Sequence, residues 1–135
     1  MLLEHGTETK FEGKPLLCAG KSGYGLYCYF KRSSSMRKYY GYKHIVEVEI
    51  KDELVLDLTT PNNYNHFKNW LARRIDKRIT KHIVQCAGHH IIEYIKQFHD
   101  DKKAFVNFHF GNNIPNSKEV VIFDTNSISF HKWIK

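Results

Sequence analysis

Short segments in which apolar and polar residues alternate bracket a block of helical periodicity, and this order constrains the fold more than any other feature. Before the block lie LLE (2–4), GLYCYF (25–30), IVEVEI (45–50) and LVLDL (54–58); after it come AFVNFHF (104–110), EVVIFD (119–124) and SISFHKWI (127–134). Period-two alternation over such lengths marks strands. Strands at both ends must pair across the intervening helices, which specifies an α+β sheet of about seven strands and not a βαβ repeat.

The block itself has two helical stretches. In TTPNNYNHFKNWLARRI (59–75), Thr60 is placed as N-cap and Pro61 at the first helical position, and Phe67, Trp70, Leu71 and Ile75 recur at core-facing intervals. TKHIVQCAGHHIIEYIKQF (80–98) reads as one continuous helix with Ile83, Cys86, Ala87, His90, Ile91, Tyr94, Ile95 and Phe98 inward, weakened by Gly88. A third, shorter helix is expected over SSSMRKYYGY (33–42). With 135 residues the chain can bury one core, so 1–135 is read as a single domain.

Three cysteines without C-x-x-C spacing argue against a disulfide framework or zinc knuckle and fit a reducing compartment. No long apolar run and no basic-then-apolar leader occurs, so a soluble chain without membrane association is expected. G-x-G-x-x-G, P-loop and H-E-x-x-H motifs are absent. A formal charge of +7 attracts anions, whether nucleotide, nucleic acid or acidic protein. Arg73, Arg74, Lys77, Arg78 and Lys81 are spaced to put several cations on one helical face, which also suits a plain solvated surface. His82, Cys86 and His90 share a four-residue spacing, but no fourth ligand accompanies them and no metal is expected.

Three places carry candidate chemistry. In LLEHGT (2–7), a strand runs into His5, and Gly6 lets a flat carboxamide approach its backbone amide and carbonyl. In SGYGLYCYF (22–30), Tyr27 follows Gly23 and Gly25, so an aromatic face can lie beside that group. In SKEVVIFD (117–124), Glu119 sits at the expected solvent end of a strand, facing a cleft.

His-Gly-Thr, then Gly-x-Gly-Leu-Tyr followed by a serine-bearing helix, then Glu-Val-Val-Ile-Phe-Asp occur in the order found in the histidine-tyrosine-glutamate ADP-ribosyltransferases. The chain resembles that superfamily, which includes diphtheria toxin and the poly(ADP-ribose) polymerases, over residues 3 to about 134, with the middle section matching in layout only. The resemblance implies an ADP-ribosyltransferase-like split β-sheet of about seven strands with two or three flanking helices. It implies NAD as co-substrate: His5 on the adenosine ribose, Gly6 on the nicotinamide carboxamide with Thr7 beside it in the motif, and Tyr27 stacked on the nicotinamide. Glu119 would bond the nicotinamide ribose and stabilise the cation that forms as the glycosidic bond breaks. The family's second stacking tyrosine falls at Lys38 here, so a one-residue insertion assigns Tyr39; the serine that contacts the carboxamide is Ser34 or Ser35 for the same reason.

The implied activity is mono-ADP-ribosyl transfer to a protein or nucleic-acid acceptor by a toxin- or effector-type core. It would act in the cytoplasm, its own or that of a target cell, and could have an inhibitor or immunity protein as partner. Arginine acceptors are disfavoured because Ser117 stands where arginine-directed toxins carry glutamate. The competing readings are NAD glycohydrolase, with water as acceptor, and a non-catalytic basic nucleic-acid-binding domain.

Overall fold

The structure is a computed structural model that describes residues 1–13, 18–20, 23–31, 42–109 and 117–135. The helix expected over 33–42, apart from Tyr42, and Ser34, Ser35 and Tyr39 lie outside the described residues.

Among the described residues there are eight strands: β1 Leu2–Thr7, β2 Cys18–Gly20, β3 Gly23–Phe30, β4 His44–Ile50, β5 Val55–Asp57, β6 Ala104–Phe108, β7 Lys118–Ile122 and β8 Ile128–Trp133. All seven expected strands form, and β2 is an addition that pairs with β3. The main path runs β5-β6-β7-β3-β1-β4-β8, antiparallel throughout except for the parallel β5–β6 pair. The fold is α+β.

β3 joins two halves of this sheet. Leu26, Tyr27 and Cys28 pair with β7, whereas Tyr29 and Phe30 pair with β1. Its partner therefore changes midway along the strand, and the β1–β3 ladder stops at Glu4↔Tyr29. Past that point β1 and β3 form no further ladder pair among the described residues.

The helices are α1 Pro61–Ile75, α2 Lys81–Gln85 and α3 Gly88–Phe98. α1 begins as expected, with Pro61 after Thr60, although the Thr60 hydroxyl donates to the Asp57 carbonyl at 3.0 Å and leaves the helix uncapped by its side chain. The single helix expected over 80–98 is two. Cys86 and Ala87 take near-bridge conformations, and Gly88 opens α3 instead of weakening the middle of a longer helix. The break exposes Cys86, which had been expected inward, and ends the shared helical face of His82, Cys86 and His90. Asp76, in the left-handed region at φ 47°, terminates α1, so Lys77 and Arg78 lie beyond the helix and the five cations of 73–81 do not share one helical face.

Each face of the sheet has a core. Leu56, Leu58, Phe105 and Val121 pack under Phe67, Leu71, Val84, Ile91, Tyr94 and Ile95 of the helices. On the opposite face Leu3, Leu26, Cys28, Val46, Val48, Val106, Val120 and Ile122 form a second cluster, edged by Phe11, Phe130 and Trp133. Burial on both faces explains the strand runs that read as almost continuously apolar. Among the described residues no helix is long and apolar enough to cross a membrane.

Candidate functional site

The site is built where β1 and β3 part. Ile45 of β4 exchanges backbone hydrogen bonds with the C-terminal segment, accepting from Ile134 at 2.8 Å. Its antiparallel partner Gly6 is therefore in a non-hydrogen-bonded pair on the β4 side and turns its N–H and C=O toward β3. A continued β1–β3 ladder would deliver those groups to Tyr27. Instead the Tyr27 carbonyl accepts from Nδ1 of His5 at 2.7 Å. The Gly6 donor and acceptor thus point side by side into the wedge, the arrangement a primary carboxamide pairs with.

A carbonyl can only accept, so His5 carries its proton on Nδ1 and leaves Nε2 as an acceptor. Burial pushes the His5 pKa below its ordinary 6.5, against the opposing pull of the Tyr27 carbonyl, and so favours this neutral tautomer. The ring is flanked by Phe11, with centroids 6.4 Å apart.

Strand alternation decides which side chains meet. Tyr27 pairs with Val121, and both pack on the helical side of the sheet. Glu119, two residues before Val121, faces the same way, and Tyr27 and Glu119 occupy diagonal positions about 7–8 Å apart at the backbone. His5 has the parity of Leu3 and points toward the opposite face, reaching the wedge through its Nδ1 bond. Tyr27 and Glu119 are thus brought together on one face, and His5 and Gly6 meet them only at the wedge.

Glu119 is not at an exposed strand end. It is 4% exposed and belongs to a lateral row that no single segment reveals. Asn107 pairs with Glu119; the β3–β7 register brings Tyr29 opposite Glu119; Tyr29 pairs with Glu4; and Glu4 pairs with Glu47. All five side chains are buried on the same face, with Glu4 at 0%. Glutamate is almost never fully buried without partners, and three in one row mark a polar slot in an otherwise apolar sheet. Lys31 closes one end with an ion pair to Glu47 at 2.6 Å, and that contact holds the Glu47 carboxyl below the usual range. At the other end the Asn107 amide donates to the Val84 carbonyl of α2 at 3.1 Å. The Cys28 thiol, on the far face beside Val120, is pushed up by burial and further by the Glu119 charge.

Gly6 and Gly25 both lie against close neighbours. A Cβ on Gly6 would fall 1.8 Å from Cδ2 of Tyr42, so the Tyr42 ring lies flat against this glycine on the side of Glu4. A Cβ on Gly25 would fall 2.6 Å from Cγ1 of Val121 and 3.0 Å from the Ile122 carbonyl oxygen, so this glycine permits close packing of β3 on β7 and does not hold space for a ligand. Thr7 is half-buried at the end of β1, with its hydroxyl donating to the Thr9 carbonyl at 3.0 Å. Sequence reasoning missed Tyr42, Glu4 and Tyr29. Tyr42 is visible only as the third tyrosine of YYGY, whereas the two others depend on strand register.

Among the described residues no group of three or more histidines, cysteines or carboxylates is arranged to hold a metal ion. No family model, curated protein or solved structure matches the chain.

Proposed function

We propose that this chain is an NAD-dependent mono-ADP-ribosyltransferase whose site is the wedge between β1 and β3. The observation that carries the reading is the His5 bond to the Tyr27 carbonyl just past the last β1–β3 pair, beside Gly6, whose N–H and C=O face β3, the strand that carries Tyr27 and pairs with the strand of Glu119. The Gly6 N–H donates to the carboxamide oxygen of nicotinamide and its C=O accepts from the amide nitrogen. Nε2 of His5 accepts from a ribose hydroxyl. Nicotinamide shares the Gly6 surface with Tyr42, so Tyr27 and Tyr42 are the aromatic walls available among the described residues.

Glu119 supplies the electrostatic part. As the C1′–N bond of the nicotinamide ribose breaks, the bonding pair leaves with nicotinamide and positive charge develops on the sugar. A carboxylate held in a buried slot stabilises that charge more than it stabilises the neutral ground-state sugar, which lowers the barrier. The acceptor heteroatom then bonds C1′ and releases its proton to solvent.

The test is nicotinamide release from NAD by the purified protein, with Glu119→Gln as control, with and without cell extract. Release that needs Glu119 and rises with extract supports transfer. Release indifferent to extract makes the protein a glycohydrolase, and absence of both release and an NAD-induced thermal shift refutes the reading.

A further inference from the structure

The transferase reading leaves the acceptor unnamed, and a run of cations that ends at the strand bearing Glu119 bears on it. Of the five cations between 73 and 81, Arg74 is engaged: it pairs with Glu93 at 2.6 Å, donates to Gln97 at 3.4 Å, and lies 4.4 Å from the Trp70 ring centroid. Arg73, Lys77, Arg78 and Lys81 are exposed and enter no ion pair among the described residues. Lys81 rests its ammonium 4.5 Å from the centroid of the half-buried Phe108 ring, which meets Tyr64 edge-on at 5.9 Å. Phe108 is the ladder partner of Lys118, an exposed cation one residue before Glu119.

The surface is fixed relative to the slot. The Asn107 amide holds the Val84 carbonyl, and Nε2 of Gln85 donates to the His109 carbonyl at 3.1 Å. These two bonds clamp α2, with Lys81 at its start, onto the strand that pairs with β7. A run of cations thus leads from the end of α1 over an aromatic pair to the strand bearing Glu119.

We infer that this run docks the acceptor and that the acceptor is a single-stranded nucleic acid; the inference rests on the transferase reading for its chemistry but not for its binding. A phosphate chain requires successive cations without counter-ions of their own, and an unstacked base requires an aromatic face; both occur here in sequence. Within 73–81 the only acidic residue is Asp76, so a folded protein with mixed surface charge finds little to match. In the transfer, an acceptor nitrogen or oxygen forms the new bond to C1′, nicotinamide leaves with the old bonding pair, and the acceptor proton passes to solvent.

The experiment is fluorescence polarisation of a short labelled single-stranded RNA, and of the corresponding DNA, against the full chain over a salt series, beside nicotinamide release. Four phosphate contacts give a log–log salt slope of about −2.8 on single strands. Lys77→Gln with Arg78→Gln should reduce that slope by about 1.4 and weaken binding roughly tenfold at physiological salt, with release from NAD alone unchanged. Lys51→Gln with Lys96→Gln removes the same net charge from exposed sites elsewhere and should leave the slope unchanged. Equal effects of the two pairs, or no binding at low salt by a protein that still releases nicotinamide, would overturn the inference and leave the transferase reading standing. Salt-dependent binding lost only in the first pair, from a protein that releases no nicotinamide, would uphold the docking surface and refute the enzyme.

Discussion

Gly6→Ala is the sharpest perturbation available, because the three atoms nearest to the added methyl all belong to one side chain, Tyr42. Gly6 is not required for backbone freedom: its φ is not in the left-handed region, and it sits in a regular ladder opposite Ile45. The added methyl would lie 1.8, 2.4 and 2.5 Å from Cδ2, Cγ and Cε2 of Tyr42. Carbon atoms settle at about 3.5–4.0 Å, so the ring must retreat by about 2 Å. Overpacking of this kind costs about 1–3 kcal/mol, equivalent to a fall in Tm of roughly 3–12 °C for a domain of this size. In a Tyr42→Ala background the obstacle is gone, and replacing a strand glycine by alanine becomes favourable by about 0.5–1 kcal/mol. The two variants should therefore couple by about 1.5–4 kcal/mol in a double-mutant cycle read by urea unfolding. A Gly6→Ala penalty that persists undiminished without Tyr42 would show that the ring is not what the glycine accommodates.

Three further outcomes are expected. His5 and His109 both have pKa values lowered by burial from 6.5, so below that pH the unfolded chain binds protons that the folded chain refuses. Stability should be insensitive to these groups above about pH 7.5 and fall as pH drops through 6.5, by up to about 1.4 kcal/mol per pH unit for each histidine. His5→Asn keeps a donor for the Tyr27 carbonyl but neither the titration nor Nε2, so it should reduce the urea-derived pH dependence by the His5 share, leave the His109 share in place, and still lose nicotinamide release; an unchanged slope would exclude His5 as a source. Asn107→Leu removes the 3.1 Å donor to the Val84 carbonyl and the 2.9 Å acceptor of the Phe108 N–H and should cost about 1–3 kcal/mol, with faster amide exchange confined to 81–85 and Phe108; uniform exchange would argue against a local clamp. Asp76→Gly removes a left-handed non-glycine conformation at φ 47° and should stabilise by about 1 kcal/mol with no change in activity, as measured by thermal melting.

Local pattern was sufficient wherever structure is locally determined. The strands containing Val46, Val48, Val120 and Ile122 followed from period two, and α1 followed from Pro61 and the spacing of Phe67 and Leu71. The break at Cys86–Ala87 was not legible because Ile83, Ile91 and Ile95 keep helical spacing across it, and the tertiary bonds of Asn107 and Gln85 fix α2 separately. Lys77 and Arg78 left the helical face for a similar reason: nothing in ARRIDKR marks Asp76 as a left-handed terminator, a role that glycine or asparagine usually signals.

The polar row shows how such a site escapes a sequence reading. Glu4, Tyr29, Glu47, Asn107 and Glu119 are scattered over five strands, and each taken alone looks like the solvent-facing member of an alternating pair. That inference assumes one wet face, whereas this sheet buries both. Adjacency in the row arises from register, which is set by loops and cross-strand packing rather than by any one strand. Glu4 and Glu47 form a non-hydrogen-bonded pair, where side chains approach most closely and like charges repel. Lys31 on Glu47 offsets one of these charges. A sheet selected for stability alone would place apolar residues at such positions, since well-packed apolar groups match or exceed buried charges. Under the transferase reading proposed above, the carboxylates answer to what the slot holds when occupied, a sugar that becomes cationic at the Glu119 end of the row.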